Sequence, residues 1–154
     1  MRLYLMRHGH SPSAAESGVG RDEERPLSVQ GREAAGRAAQ FLAAGGDIPA
    51  MVRVSPLRRA QETAEEANRY LRLAARTETW IELAGIAPPS ALWEKIKPCL
   101  DDYEALLLIG HMPQMGSLAQ FLSRQGPLDL RPAGVIALQA SREGAASLLW
   151  SRNF

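Results

Sequence analysis

Leu3-Tyr4-Leu5-Met6 runs directly into Arg7-His8-Gly9, and this stretch decides the fold. Four consecutive apolar residues followed by a turn signal are typical of a buried parallel strand. Glycine at position 9 frees the backbone to turn. In open α/β sheets, ligands bind just outside the carboxyl ends of the strands. Arg7 and His8 would stand there, so a fixed cation beside an imidazole predicts an anion site with a nucleophile or an acid/base within reach.

Composition bounds the class of protein. The chain has 154 residues, 45% of them hydrophobic and 23% charged, with a formal net charge of +1. These values fit one soluble globular domain, residues 1–154, with a sizeable core. The small net charge gives no reason to expect a nucleic acid or an anionic membrane as a partner.

Cysteine usage and hydropathy predict a cytoplasmic setting. The single cysteine, Cys99, excludes an internal disulfide framework and fits a reducing compartment. It is expected to be a small helix residue, because no arginine stands six residues after it as a cysteine-based phosphate loop would require. The apolar run before Arg7 is too short for a signal peptide, and no stretch approaches the length of a membrane span.

Strand and helix patterns alternate along the chain. Ser28 predicts the cap of a first helix that ends near Ala44. A second helix is predicted to open at Ser55-Pro56. A third is predicted to be capped by Ser90 and to run to about Leu100, interrupted or ended near Pro98. Residues 12–27 are predicted to be a loop, a fourth helix follows residue 111, and the strand predictions are Leu3–Met6, Met51–Val54, residues 75–81, Ala105–Ile109, Val135–Gln139 and Ser147–Trp150. This order predicts a three-layer α/β/α sandwich with a mainly parallel central sheet.

Charged side chains follow four of the predicted strands. Arg7 and His8 follow the first, Arg58-Arg59 the second, Glu82 the third and His111 the fourth. In a mainly parallel sheet these groups gather on one rim. Arginines supply planar donors for phosphate oxygens, and histidines supply a nucleophile, an acid/base or further donors. Phosphoryl transfer needs this combination, because charge on the phosphoryl oxygens must be stabilised while an attacking atom is held in line.

Four motifs resemble those of the histidine phosphatase superfamily, also called the phosphoglycerate mutase-like family. They are Leu5–Gly9, Arg25–Gly31, Ser55–Ala64 and Ile109–Pro113, in compatible order and spacing. The matches run from residue 3 to about residue 122, and the Arg25–Gly31 segment is similar to that of the compact SixA-type phosphohistidine phosphatases. The resemblance implies a phosphoglycerate mutase-like fold with no sizeable cap domain.

The resemblance also implies a role for each matching residue. His8 would be the nucleophile and become transiently phosphorylated. Arg7 and Arg59 would clamp the phosphoryl oxygens. His111 would donate to the phosphoryl group and relay a proton.

The resemblance also bears on Arg58, Arg25 and Glu82. Arg59 is preferred over Arg58 because it directly precedes the alanine of the motif, which leaves Arg58 on the helix surface. Arg25 is a candidate for the pocket rim, with a loop charge as the alternative. Glu82 stands near the place where phosphoester-cleaving relatives put a general acid, but its spacing to Gly85 departs from the mutase-type pattern. Catalysis and a surface or loop-capping role both stay open for Glu82.

Neither a metal nor a cofactor is predicted. His8, His10 and His111 could form a three-histidine metal site. Two arginines in the same pocket would repel a divalent cation, and no clear carboxylate compensates them. His10 departs from relatives that often have an acidic residue there; a modulator of the pocket and a loop residue without a role are both open.

The short segment between Glu82 and His111 bears on the substrate. Larger members of the superfamily commonly carry insertions there that cover the site and bind small phosphoesters. A bare rim favours a phosphorylated protein, such as a histidine phosphotransfer domain, and imidazole is a good leaving group that needs no dedicated acid. The alternatives are a small phosphomonoester and a phosphate-binding module without turnover. A mutase is disfavoured, since it must hold its intermediate away from water.

Overall fold

A six-stranded sheet forms the centre of the fold in the computed structural model, which describes residues 1–46 and 48–154. Its strands are β1 (Arg2–Arg7), β2 (Met51–Val54), β3 (Thr77–Thr79), β4 (Ala105–Gly110), β5 (Val135–Ala140) and β6 (Ala146–Arg152). They lie in the order β3-β2-β4-β1-β5-β6. The first four strands are parallel, whereas β5 is antiparallel to β1 and β6 to β5. The predicted α/β class with a mainly parallel sheet is confirmed.

Helices cover both faces of this sheet. They are α1 (Ala14–Ser17), α2 (Val29–Ala44), α3 (Arg58–Leu71), α4 (Pro89–Ile96), α5 (Cys99–Asp102) and α6 (Gln114–Ser123), with single 3₁₀ turns at Asp22–Glu24, Ala74–Arg76 and Ile81–Ala84. Among the described residues, no helix is long and apolar enough to cross a membrane.

The apolar strands β1 and β4 divide the core into two layers. Leu3 and Leu5 pack with α4 and α6, whereas Tyr4 and Met6 pack with α2 and α3. Alternate strand residues point to opposite faces, so an unbroken apolar run is what a strand covered on both sides requires. The alanine-rich faces of α2 and α3 let these helices lie close to the sheet and to each other.

Several boundaries differ from the sequence predictions. The second long helix begins at Arg58, not at Ser55-Pro56, because Ser55 is held in a turn in which its Oγ accepts a hydrogen bond from the backbone N–H of Leu57 at 3.2 Å. Ser90 is not a cap, since α4 starts at Pro89, where a missing N–H costs no helical bond. The stretch predicted to be an edge strand contains only the three residues of β3, between two 3₁₀ turns.

Two further predictions concern helix ends and loops. Ser28 is confirmed as the cap of α2, because its side chain accepts from the backbone N–H of Gly31 at 3.0 Å. The segment predicted to be a loop, residues 12–27, contains the short helix α1 and a 3₁₀ turn. The serine of its capping box, Ser13, exchanges hydrogen bonds with Glu16, a local pairing that hydrophobic periodicity does not reveal.

The carboxyl ends of three strands lie level with one another. Arg7 of β1 pairs with Gly110 of β4, and Val54 of β2 pairs with Ile109 of β4. The residues that follow these strands therefore emerge side by side at one edge of the sheet, called the rim below.

The turn after β1 packs directly against the start of α2. A Cβ atom at Gly31 would lie 2.2 Å from the carbonyl oxygen of His10, and one at Gly9 would lie 2.5 Å from the carbonyl oxygen of Gly31. Both distances fall well inside van der Waals contact with backbone atoms. This close approach fixes the turn that carries His8.

We expect Gly31→Ala to lower the free energy of unfolding by about 1–3 kcal/mol through overpacking, despite the better helix propensity of alanine. Gly36→Ala is the matched control, because Gly36 lies in the same helix and an added Cβ would meet only the side chain of the exposed Tyr70, at 3.3 Å. Urea denaturation measures both variants. Equal stabilities of the two would contradict the close approach.

Candidate active site

His8 leaves the end of β1 as a buried residue, 9% exposed, and its backbone is fixed on both sides. Its N–H donates to Gly110 O at 2.9 Å, and its carbonyl accepts from Ala133 N–H at 3.1 Å. The ring Nδ1 lies 2.6 Å from Gly9 O. A carbonyl oxygen only accepts hydrogen bonds, so Nδ1 carries the proton and Nε2 keeps its lone pair. This arrangement is suited to a nucleophile.

The surroundings of His8 keep its ring neutral. Burial is the largest cause that lowers its pKa to about 3, and the positive charge of Arg59 and Arg7 and the nearby His111 act in the same direction. The hydrogen bond to Gly9 opposes them. At neutral pH the imidazole is therefore uncharged, the form in which it can attack an electrophile.

Arg7 is anchored beside His8 through its Nη1, which donates to Leu130 O at 2.7 Å. Its Nε is buried and has no hydrogen-bond partner among the described residues. A buried guanidinium N–H without a partner is costly, unless a ligand oxygen meets it. Arg7 is thus suited to bind an anion next to His8.

Arg59 is placed by α3 and held by Asp22, a residue that the sequence prediction missed. Its Nη1 donates to Asp22 O at 2.8 Å and its Nη2 to Asp22 Oδ2 at 3.0 Å. Burial lowers the pKa of the guanidinium, and Asp22 opposes that effect. Asp22 therefore orients the second predicted clamp and partly balances its charge.

Arg25, the candidate for the rim, contacts the same carboxylate. Its Nη1 lies 2.8 Å from Asp22 Oδ1, while its Nε and Nη2 donate to Pro12 O and Ser11 O at 2.6 and 2.8 Å. Five hydrogen bonds in all link the side chains of Arg25 and Arg59 to the loop that contains Ser11, Pro12 and Asp22. Arg25 therefore links Ser11 and Pro12 to Asp22 within the loop. It is connected to Arg59 only indirectly, through the carboxylate of Asp22 that both arginines contact.

His111 follows β4 and faces His8, with ring centroids 5.0 Å apart. Its Nε2 lies 2.7 Å from Ser55 Oγ, and its buried Nδ1 has no partner in the described part of the chain. Ser55 Oγ accepts from Leu57 N–H, and its own O–H finds an acceptor in the lone pair of His111 Nε2, so Ser55 is assigned as the donor to Nε2. The neutral ring then carries its proton on Nδ1, which is free to donate to a phosphoryl oxygen.

The charges around His111 match those around His8. The pKa of His111 is lowered to about 4, mainly by burial; Arg59 and Arg7 act in the same direction and Asp22 opposes them. Arg7 and Arg59 thus place two positive charges near the two uncharged imidazoles of His8 and His111. This set attracts an anion without adding a third and fourth cation to the pocket.

Glu82, the doubtful general acid, is held by Lys95. Its Oε2 lies 2.6 Å from Lys95 Nζ, and the hydrogen bond from Lys95 lowers the pKa of the carboxyl. Lys95 also lies over the Trp80 ring, 4.8 Å from its centroid. A carboxyl with a lowered pKa is ionised at neutral pH, so this contact favours a structural role.

His10 and Arg58 take no part in this set of contacts. His10 is exposed, and its Nδ1 lies 2.9 Å from Ser28 Oγ. Arg58 is exposed on α3 and pairs with Glu62 at 2.9 Å, as predicted for a residue of the helix surface. Residues 1–46 and 48–154 contain no group of three or more histidine, cysteine and acidic side chains arranged to hold a metal ion.

Thr63 is a further residue that motif reasoning left without a role. Its Oγ1 accepts from Gly9 N–H at 3.1 Å and donates to Arg59 O at 2.7 Å. The hydroxyl therefore links the turn after His8 to the helix that carries Arg59. Thr63 and Ser55 both lie inside the Ser55–Ala64 motif, so the motif itself contained a signal that these hydroxyl groups matter.

Comparisons with known proteins agree with this geometry. The family model for the histidine phosphatase superfamily (branch 1) matches residues 3–87, more than half of the chain. The chain belongs to the histidine phosphatase superfamily. Membership in this superfamily and similarity to phosphohistidine phosphatase SixA support a phosphatase function, that of a hydrolase acting on a phosphorylated substrate.

Two relatives and one solved structure show the extent of similarity. An uncharacterized protein of Picosynechococcus sp. (strain PCC 7002) is 33% identical over 156 residues, covering 96% of this chain and 88% of the relative. Phosphohistidine phosphatase SixA of Escherichia coli (strain K12) is 26% identical over 152 residues, covering 97% and 92%. The structure of the protein histidine phosphatase SixA complexed with tungstate superposes with a TM-score of 0.92 at 23% identity, covering 99% of this chain and 97% of the other. That superposition confirms a phosphoglycerate mutase-like fold without a large cap.

The lowered pKa of His8 predicts a pH-dependent stability. The unfolded chain protonates this histidine near pH 6.5 and the folded chain only near pH 3, so the unfolded state binds more protons between these values. Stability must therefore fall as the pH falls through this window. In His8→Gln the loss of unfolding free energy between pH 7 and pH 4 should be smaller by up to about 3 kcal/mol, at about 1.4 kcal/mol per pKa unit.

Denaturant titrations at both pH values measure this difference. His10→Gln is the control, because His10 is exposed and lacks the burial that acts on His8. The control should keep the wild-type pH dependence. An unchanged dependence in His8→Gln would show that the buried ring is not held neutral.

Ser55→Ala tests the proton placement on His111. Removing the hydroxyl leaves Nε2 of a buried ring without a partner, a loss of about 1–3 kcal/mol, and frees the ring to change tautomer. We expect kcat for phosphate release to fall on the order of tenfold or more, with a smaller change in KM. Ser123→Ala, which removes a hydroxyl bonded to Ala119 O in α6, should retain wild-type kinetics; equal kinetics of both variants would contradict the role of Ser55.

Proposed function

We propose that this chain removes the phosphoryl group from phosphohistidine on a protein, through a covalent intermediate on His8. The observation that carries the proposal is the neutral His8 ring, whose Nδ1 is bound to Gly9 O and whose Nε2 is free. His111 lies 5.0 Å away, centroid to centroid, and Arg7 and Arg59 supply the charge.

The reaction has two displacements at phosphorus. In the first, the Nε2 lone pair of His8 forms a bond to phosphorus while the P–N bond to the substrate ring breaks. The second nitrogen of that ring carries a proton, so the electron pair of the broken bond stays on a neutral imidazole, which leaves. Arg7, Arg59 and the Nδ1–H of His111 stabilise the charge on the phosphoryl oxygens. In the second, a water attacks phosphorus, the bond to His8 breaks, and inorganic phosphate leaves. His8 returns to its neutral form, and the sequence of steps needs no cofactor.

The leaving group accounts for the state of Glu82. An alkoxide leaving from a phosphoester needs a proton, which a carboxylic acid with a raised pKa supplies. Lys95 lowers the pKa of Glu82 instead. An imidazole is a better leaving group than an alkoxide, so phosphohistidine suits a site in which this carboxyl stays ionised.

The surface around the site supports a protein as substrate. The three most exposed large aliphatic residues of the described chain are Val29, Ile81 and Ile86, at 68%, 62% and 81% exposure. Val29 opens α2 beside the turn that follows His8, and Ile81 and Ile86 flank the segment after β3, which ends at the rim. Exposed apolar side chains on the segments that border a site are a feature of surfaces that contact another protein. The 26% identity to E. coli SixA over 97% of this chain supports the same class of substrate.

The test uses a histidine-phosphorylated protein labelled with ³²P. Wild type should release labelled phosphate and, after rapid denaturation, carry an acid-labile label on the chain. His8→Ala should lose both the label and the turnover, on the order of a thousandfold or more. Undiminished turnover by His8→Ala would contradict the intermediate, and stable binding of the phosphoprotein without release would indicate a non-catalytic module.

A panel of small phosphomonoesters run beside the phosphoprotein decides the substrate class. The phosphoprotein should be preferred, and Glu82→Gln should leave its turnover little changed, because imidazole needs no carboxylic acid to leave. A large preference for one phosphomonoester, together with loss of activity in Glu82→Gln, would reverse the assignment in favour of a small substrate.

A further inference from the structure

We propose that a groove beside the active site binds an acidic segment of the substrate protein, a specificity determinant that rests on the proposed function. The groove has a volume of about 500 Å³ and is lined by His10, Gln30, Ala34, Arg37, Arg131, Pro132 and Phe154. It is called the His10 groove below. Its two walls, its charge and its floor each support this assignment.

Both walls of the His10 groove are attached to the phosphoryl site. One wall is His10, which follows the nucleophile by two residues. The other wall is the segment Leu130–Gly134, in which Leu130 O accepts from Arg7 Nη1 at 2.7 Å and Ala133 N–H donates to His8 O at 3.1 Å. A peptide whose phosphorylated side chain enters the site can therefore continue along the groove.

The charged side chains that line the groove are cationic. Arg37 and Arg131 are exposed, and neither forms an ion pair with a carboxylate in residues 1–46 and 48–154. Glu33, one helical turn before Arg37, does not pair with it. By contrast, Arg32 on the neighbouring face of α2 is paired with Glu62 and Glu66. The lining of the groove contains no acidic side chain.

The floor of the groove is apolar and firmly placed. Ala34 is buried in the core, and the Phe154 ring lies 5.5 Å from the ring of Phe41, centroid to centroid. Guanidinium groups bind carboxylates through paired hydrogen bonds, so two arginines above an apolar floor fit a segment with acidic and apolar side chains. Exposed charges of this kind mainly raise the rate of encounter and select partners.

The test compares two histidine peptides phosphorylated with phosphoramidate, one with aspartate and glutamate around the phosphohistidine and one with asparagine and glutamine in their place. Wild type should prefer the acidic peptide on the order of tenfold in kcat/KM at low salt, and added salt should reduce the preference. The double variant Arg37→Gln/Arg131→Gln should lose the preference and keep the wild-type kcat on the neutral peptide.

The matched control is Arg72→Gln/Arg124→Gln, which removes the same two charges. These exposed arginines follow the last residues of α3 and α6, at the helix ends away from the rim. The control should retain the wild-type preference. An equal preference in Arg37→Gln/Arg131→Gln and wild type, or equal losses in both double variants, would overturn the role of the groove. A wild type active on both peptides alike overturns the groove alone, whereas one inactive on both contradicts the proposed function as well.

Discussion

The parallel pairing of β1 with β4 is the constraint on which the rest of the structure depends. Its ladder sets Arg7 opposite Gly110, and one more hydrogen bond, from His8 N–H to Gly110 O, extends it past the strand end. The next residue of each chain segment, His8 and His111, is therefore fixed at the same level. The two imidazoles are 103 residues apart in sequence, yet their ring centroids lie 5.0 Å apart. The register of the β1–β4 pair sets this distance, because it places the two backbones side by side.

The site combines uncharged rings with fixed cations, and burial is the reason. Desolvation lowers the pKa of His8 and of His111, and Arg7 and Arg59 reinforce it. One exposed carboxylate, that of Asp22, reaches Arg59 and moderates the positive charge. The pocket is thus positive enough to attract an anion while His8, the proposed nucleophile, keeps a lone pair, two demands that a protonated histidine could not meet together.

Sequence patterns predicted the elements whose signals are local. The unbroken apolar runs of β1 and β4, and the capping serine of α2, were identified from neighbouring residues alone. The start of α3 was placed too early, because Ser55 binds a backbone N–H two residues on and faces His111 across the rim. A capping signal and a site residue look alike when a serine precedes a proline, and only the partner across the rim distinguishes them.

By itself, the sequence determined the fold class, the family and the candidate histidines and arginines. The reason is that the apolar runs of buried strands and the residues of each motif are contiguous in the chain. Only the tertiary structure decided which nitrogen of each histidine is free. It also decided that Asp22 accepts hydrogen bonds from Arg59 and that Lys95 donates to Glu82. These outcomes depend on contacts between segments far apart in the chain. Their strength depends on burial, which strand pairing and helix packing create and which no local pattern specifies.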